Sequence, residues 1–292
     1  MASRGSSSAS ARKYKTTGHH IEKLFAQEIG VSEEYKNNPQ GKKDVVDLSG
    51  DTHSVKGGEK KWQIFLYSRN RFINDDGFQA LNGIGILLIH CLDAFPLTLK
   101  EYQNNKKAFQ ERLRTPMRDI KDRLQRKALL SAFLNKSFFN SAEVNYLSVF
   151  YEGKFHVFKN SDVISALAKN LIVENSDGEQ KVVMKFDGNN VAELEMRTDG
   201  KHFVRVRFNA IIPKVVALLQ KCIEPPKTSK ISKNIYVYGV ANKTFGKWIF
   251  ADAPADETDM NERLKQIGLE EETKEVAKKE IKEEAKASPE LA

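Results

Sequence analysis

Cysteine is scarce in this chain. Two in 292 residues make no disulfide framework, and Cys91 and Cys222 both sit in apolar, helix-like contexts. Long hydrophobic runs are missing too. The longest candidate, Ile84 to Leu92 (IGILLIHCL), is too short to span a bilayer and reads as a buried helix; there is no secretory apolar region either. The expectation is a reducing, cytoplasmic protein with no membrane partner. No internal repeat is apparent, which leaves solenoid and array architectures aside. Acid is also short over most of the length. Residues 252–292 carry 13 acids and 7 bases, so the first 251 residues hold 40 bases against 26 acids.

A body that basic favours a polyanionic partner, because released counterions drive association. A lysine-rich solvated surface would account for the same charge. Since 40% of residues are hydrophobic, the chain can bury a core of domain size.

Residues 1–17 are Ser-rich, basic and poor in apolar side chains, and they read as a disordered basic tail. A first helix is expected from about Gly18 to Gly30, with Ile21, Leu24, Phe25 and Ile29 as its apolar stripe and Glu22 at the border of that stripe. A hairpin and a strongly β-prone run, Trp62 to Tyr67, come next. Three helices are then expected over Asp76–Phe95, Thr98–Leu113 and Pro116–Asn135. Pro96 ends the first, Thr98 caps the second and Pro116 occupies the first turn of the third. The third helix carries Arg114, Arg118, Lys121, Arg123, Arg126 and Lys127.

From Val144 the pattern turns to short strands: NYLSVFY, KFHVF, VVMKF, VAELEMR and HFVRVRF. A helix, DVISALAKNL, interrupts them, and Asp-Gly turns join the later ones. Alternation sets Arg205 and Arg207 on one sheet face, where they can enter a DNA groove or pair with Glu193 and Glu195 across the hairpin. A helix over Pro213–Ile223, a Pro-rich linker and a last strand near Asn234–Tyr238 follow. From Asp252 the chain is acidic and of low complexity.

The stretch Lys43–Arg71, KDVVDLSGDTHSVKGGEKKWQIFLYSRNR, carries the densest chemistry. With Gly50-Asp51 as a type II′ turn, Asp47 faces Ser54, and Lys56 lies on the same side. On that register Asp44 falls on the opposite face. A carboxylate beside a lysine suits phosphodiester hydrolysis, where a hard cation takes oxygen ligands and a fixed positive charge stands near the reacting phosphate.

Asp47 followed by Ser54-Val55-Lys56 resembles the PD-(D/E)XK nuclease superfamily, in the variant where serine replaces the second acid. SVKGGEKKWQIFLYSRNRF and AELEMRTDGKHFVRVRF are further similar to a group of type II restriction endonucleases. The resemblance extends over most of residues 18–220, although Val46 stands where the family has proline. It implies an α/β fold with a restriction-endonuclease-like central mixed sheet flanked by helices, plus a β-rich portion. The corresponding division is a basic tail 1–17, a catalytic core 18–140, a recognition portion 141–250 and an acidic tail 251–292.

It further implies Mg²⁺-dependent, sequence-specific cleavage of double-stranded DNA by a homodimer. Glu22 and Asp47 would be metal ligands, Lys56 would position water, and Ser54 and Gln63 would hold the site or the phosphate. Arg197, Lys201, His202, Arg205 and Arg207 are the recognition candidates. Asp187 with Glu195-Met196-Arg197 imitates a second such site, with arginine in the lysine place. A non-catalytic nucleic-acid-binding protein with a basic sheet platform is the alternative.

Overall fold

The computed structural model describes residues 8–31, 42–58, 60–198, 204–225 and 233–242. Helix α1 (Ser8–Glu28) starts ahead of the expected Gly18, so part of the presumed disordered tail is helical. Ala, Arg and Lys dominate there and no proline intervenes, which leaves nothing to stop the helix from extending. Strands β1 (Val45–Val46), β2 (Thr52–Gly57) and β3 (Lys61–Tyr67) follow.

The helix expected over Asp76–Phe95 is broken. Short helices α2 (Arg69–Ile73) and α3 (Asp76–Gln79) precede α4 (Ile84–Asp93). Asn82 and Gly83 take positive φ values of 47° and 80°, a left-handed pair that no helix continues through. Thr98 caps α5 (Leu99–Asn104), its hydroxyl accepting from the Glu101 amide. Helix α6 (Lys106–Leu124) then runs straight through Pro116, where a new helix was expected. Phe109, Leu113, Met117, Ile120 and Leu124 form one buried stripe across the proline. Their burial holds the helix despite the one hydrogen bond that Pro116 removes. The break falls instead between α6 and α7 (Lys127–Phe139).

The remainder is β4 (Tyr146–Tyr151), β5 (Lys154–Lys159), α8 (Asn160–Asn170), β6 (Ile172–Asn175), β7 (Lys181–Phe186), β8 (Asn189–Thr198), β9 (Val204–Ile211), α9 (Ile212–Cys222) and β10 (Ile235–Val237). The protein is mixed α/β, and these strands form two sheets. The first has the order β1-β2-β4-β5-β10, with β2 parallel to β4 and β5 parallel to β10. The second, β3-β9-β8-β7-β6, is antiparallel throughout.

Strands β2 and β3 are neighbours in sequence but enter different sheets. Each sheet also joins strands from both sides of residue 140, so the expected division there does not separate two bodies. The described residues all fall in one compact unit. The acidic tail expected at 251–292 lies outside the described residues.

Helix α1 lays Ile21, Phe25, Ala26 and Ile29 against one face of the first sheet, on Val45, Val55, Tyr146, Phe155 and Val157. The other face contributes Leu147, Val149 and Phe158 to a larger core shared with α4, α6, α7, α8, α9 and the second sheet. No described helix is long and apolar enough to cross a membrane.

Candidate active site

The hairpin before β2 closes differently from a two-residue turn. Asp47 does not point across at Ser54. Its Oδ1 accepts from the Ser49 amide (2.9 Å), the Ser49 hydroxyl (2.7 Å) and the Asp51 amide (2.9 Å), and its Oδ2 lies 3.2 Å from His53 Nε2. A short acidic side chain that bonds the backbone two residues on builds a turn of its own. That lengthens the loop and shifts the register: Val46 pairs with Thr52 and Val45 with His53.

The expected placement of Asp47 beside Ser54 and Lys56 is thereby corrected. Asp47 and His53 are buried and bonded to each other. Burial works against ionisation of Asp47, yet the His53, Ser49 and Asp51 contacts hold its carboxyl below the ordinary value. Burial pushes His53 down as well, with Asp47 opposing. Stacking of His53 on Tyr146 and its contact with Phe25 tie this pair into the core under α1.

The shifted register puts Asp44 where Asp47 was expected. Its amide donates to the His53 carbonyl at 2.9 Å, continuing the β1–β2 pairing by one residue. Beyond that point β2 has no strand neighbour on this side among the described residues, and the Asp44 carboxylate takes over. Oδ2 accepts from the Val55 amide at 2.8 Å, stands 3.4 Å from Ser54 Oγ and meets Lys56 Nζ at 2.5 Å. Lys56 Nζ also donates to the Val55 carbonyl at 3.0 Å. The site is therefore an open sheet edge whose backbone groups are answered by the two charged side chains.

Glu22 approaches this edge from α1, which sits close because Gly57 has no side chain; a Cβ there would clash with Ile21. Burial raises the Glu22 carboxyl above its ordinary value. Its hydrogen bond from His19 opposes this, and the Asp44 charge adds to the rise. A cavity of about 170 Å³ opens beside the edge, lined by Lys42, Asp44, Ser54, Lys56 and Gln63 with an apolar wall that includes Trp62 and Phe138. Gln63 reaches it next to a β-bulge at Gln63–Phe65, where β3 falls out of step with β9.

Lys42, which the sequence reasoning overlooked, is the most perturbed of these groups. Burial and the nearby charges of Lys56 and Lys136 push its ammonium down to about 7. Three expected residues, Ser54, Lys56 and Gln63, thus line one cavity with Asp44, while Glu22 reaches this edge only through its charge interactions with Asp44 and Lys56. Asp47 is not among them, and Asp44 stands in its place. Among the described residues no group of three His, Cys, Asp or Glu side chains stands together.

Three of the recognition candidates, Arg197, Arg205 and Arg207, share one face of the β8–β9 pair, as alternation leads one to expect. Arg207 is spent on the buried Glu195, which Lys181 also meets at 2.6 Å. Burial works against Glu195, yet Lys181 and Arg207 hold its carboxyl below the ordinary value. Arg197 and Arg205 face each other across β8 and β9. Lys201 and His202 lie outside the described residues. The imitation of a second site does not assemble, since Asp187 sits in the β7–β8 turn bonded to Lys221 while Glu195 lies toward the other end of β8.

No protein-family model, no curated protein and no solved structure matches the chain.

Two signals in the sequence could have found Asp44. Asp47-Leu-Ser49 is a self-bonding turn signature, and a strand histidine on the same face as Val55, two residues on, needs a buried partner. Both assign Asp47 to the turn and leave Asp44 for the edge.

Proposed function

We propose that this protein is a Mg²⁺-dependent endonuclease of the type II restriction class, cleaving phosphodiester bonds of double-stranded DNA. Its sheet of β1, β2, β4 and β5 would be the restriction-endonuclease-like core. The observation that carries this reading is the meeting of Asp44, Ser54 and Lys56 at one open edge, beside a cavity that Gln63 also lines.

The donors fit magnesium. Two carboxylates, Asp44 and Glu22, and the Ser54 hydroxyl are all hard oxygens. Magnesium is commonly held by one or two carboxylates, with waters and substrate phosphates completing its shell. Bound there, the ion would supply charge that polarises a phosphate and acidifies a water. The chain's own groups do the rest. Asp44 fixes the Lys56 ammonium, which would neutralise charge developing on the phosphate and orient the attacking water. Gln63 would donate to a phosphate oxygen. Burial raises the Glu22 carboxyl above its ordinary value, and a cation held nearby would oppose that rise. Cutting both strands of a palindrome would call for two copies of the chain.

The scarcity of grouped ligands favours one rival, a nucleic-acid-binding protein without catalysis. The test is conversion of supercoiled plasmid by wild type and Asp44→Ala, in Mg²⁺ and in EDTA. Discrete fragments or nicks from wild type with Mg²⁺ alone are expected. Intact supercoiled DNA from both proteins, over varied sequences and metals and with binding retained, would overturn the nuclease reading.

A further inference from the structure

The cavity holds more positive charge than its carboxylates answer. Lys56 is matched by Asp44 at 2.5 Å. Nearby, Asp75 takes both Lys136 (2.8 Å) and Arg71 (3.1 Å). Lys42 lines the same cavity, and no described residue gives it a hydrogen bond or an ion pair. The charges of Lys56, Lys136 and Arg71 all bear against it, with Asp44 alone in its favour.

Two lysines, Lys42 and Lys56, against the single carboxylate of Asp44 leave the cavity wall with a positive charge that a bound anion would offset. What surrounds Lys42 also says which anion. The Ser54 hydroxyl, the Gln63 amide and the Lys56 ammonium are donors around one small space, while Trp62, Ile64, Phe138 and Leu147 keep part of its wall apolar. Several donors converging from different directions suit an oxyanion with several acceptor oxygens better than a single planar carboxylate.

We propose that Lys42 is the principal cation of a phosphate-binding subsite in this cavity, and that the phosphate it takes belongs to a nucleic acid backbone. The identity of the phosphate's owner rests on the nuclease reading; the subsite itself does not. Lys42 would hold the phosphate by contact, independently of any metal.

The test is calorimetric titration of the full chain in EDTA with inorganic phosphate and, separately, with a short DNA duplex. Wild type, Lys42→Gln, Lys42→Arg and the exposed control Lys100→Gln are compared, with circular dichroism to confirm folding. Lys42→Gln removes a repelled charge, so the fold should tolerate it. If it does not, Lys42→Arg against wild type in phosphate competition carries the test. Expected are a loss of about tenfold or more in affinity for both ligands with Lys42→Gln, near-wild-type binding with Lys42→Arg, and no change with Lys100→Gln.

Equal affinities for wild type and Lys42→Gln would overturn the subsite. So would failure of phosphate to compete with the duplex for wild type and Lys42→Arg alike. Phosphate binding without duplex binding would overturn the assignment to nucleic acid. If plasmid is never cut but Lys42-dependent binding persists, the nuclease reading fails and the subsite stands. If plasmid is cut and Lys42→Gln cuts with unchanged KM, the subsite fails and the nuclease reading stands.

Discussion

Replacing Asp47 by alanine should damage the fold rather than the chemistry. The Asp47 carboxylate receives three hydrogen bonds in the turn and one contact from His53. His53 is fully buried, so losing the Asp47 contact at its Nε2 would cost about 1–3 kcal/mol. The Ser49 and Asp51 amides lie nearer solvent, and water would recover most of their loss, leaving roughly 0.5 kcal/mol each. The total is about 3 kcal/mol, a large share of a typical domain's stability. For a domain of this size that corresponds to a fall of about 6–12 °C in Tm. Thermal melts by far-ultraviolet circular dichroism, with urea titrations beside them, measure it. Asp44→Asn keeps an oxygen for the Val55 amide but removes the counter-charge of a largely buried Lys56, and should cost about 1–2 kcal/mol, less than Asp47→Ala. A shift under 2 °C for Asp47→Ala, or a larger one for Asp44→Asn, would refute the assignment of Asp47 to the turn.

Three further outcomes follow from the same geometry. Acid should weaken the fold in two stages. His53 sits below its ordinary 6.5 in the fold, so the unfolded chain binds the extra proton and stability falls as pH drops below 6.5, by up to about 1.4 kcal/mol per pH unit. Asp47 is held below 3.8, so the stability its contacts lend is present above that value and is lost as pH falls through its folded value; urea midpoints across pH 3–8 would show both. Glu195→Ala should cost about 1–3 kcal/mol, since it takes from Arg207 its buried carboxylate while Lys181 keeps Glu193 at 3.6 Å, and an unchanged urea midpoint would contradict this. Gly57→Ala should cost about 1–3 kcal/mol by pushing on Ile21 and Phe150, and it should lower cleavage further by moving α1 and Glu22; paired melts and plasmid assays separate the two effects.

Much of the secondary structure was legible because alternation and helical spacing are local. Strands β4, β5, β7, β8 and β9 appear where their apolar periodicity puts them, β6 was not expected, and Thr98 caps its helix as its chemistry suggests. Pro116 misled because a local rule about proline yields to the burial of five stripe residues, which is a property of the packed core. The parallel pairing of β2 with β4 and the departure of β3 into a second sheet join segments far apart in sequence, and no local pattern encodes them.

At the site, Ser54-Val55-Lys56 was legible because strand alternation alone sets two of its side chains on one face. The choice of aspartate was not. It depended on a single assumption about turn length, and a shifted register exchanges which residues face each other. Lys42 carried no signal at all, since its character comes from burial and from Lys56, Lys136 and Arg71 on separate elements.

The most direct measurement is Mg²⁺-dependent plasmid cleavage by Asp44→Asn and Asp47→Asn, side by side, at a temperature where both are folded. Asp44→Asn should lose cleavage by about a hundredfold or more, while Asp47→Asn stays within tenfold of wild type and melts lower. Full activity in Asp44→Asn, with loss in a folded Asp47→Asn, would contradict the account.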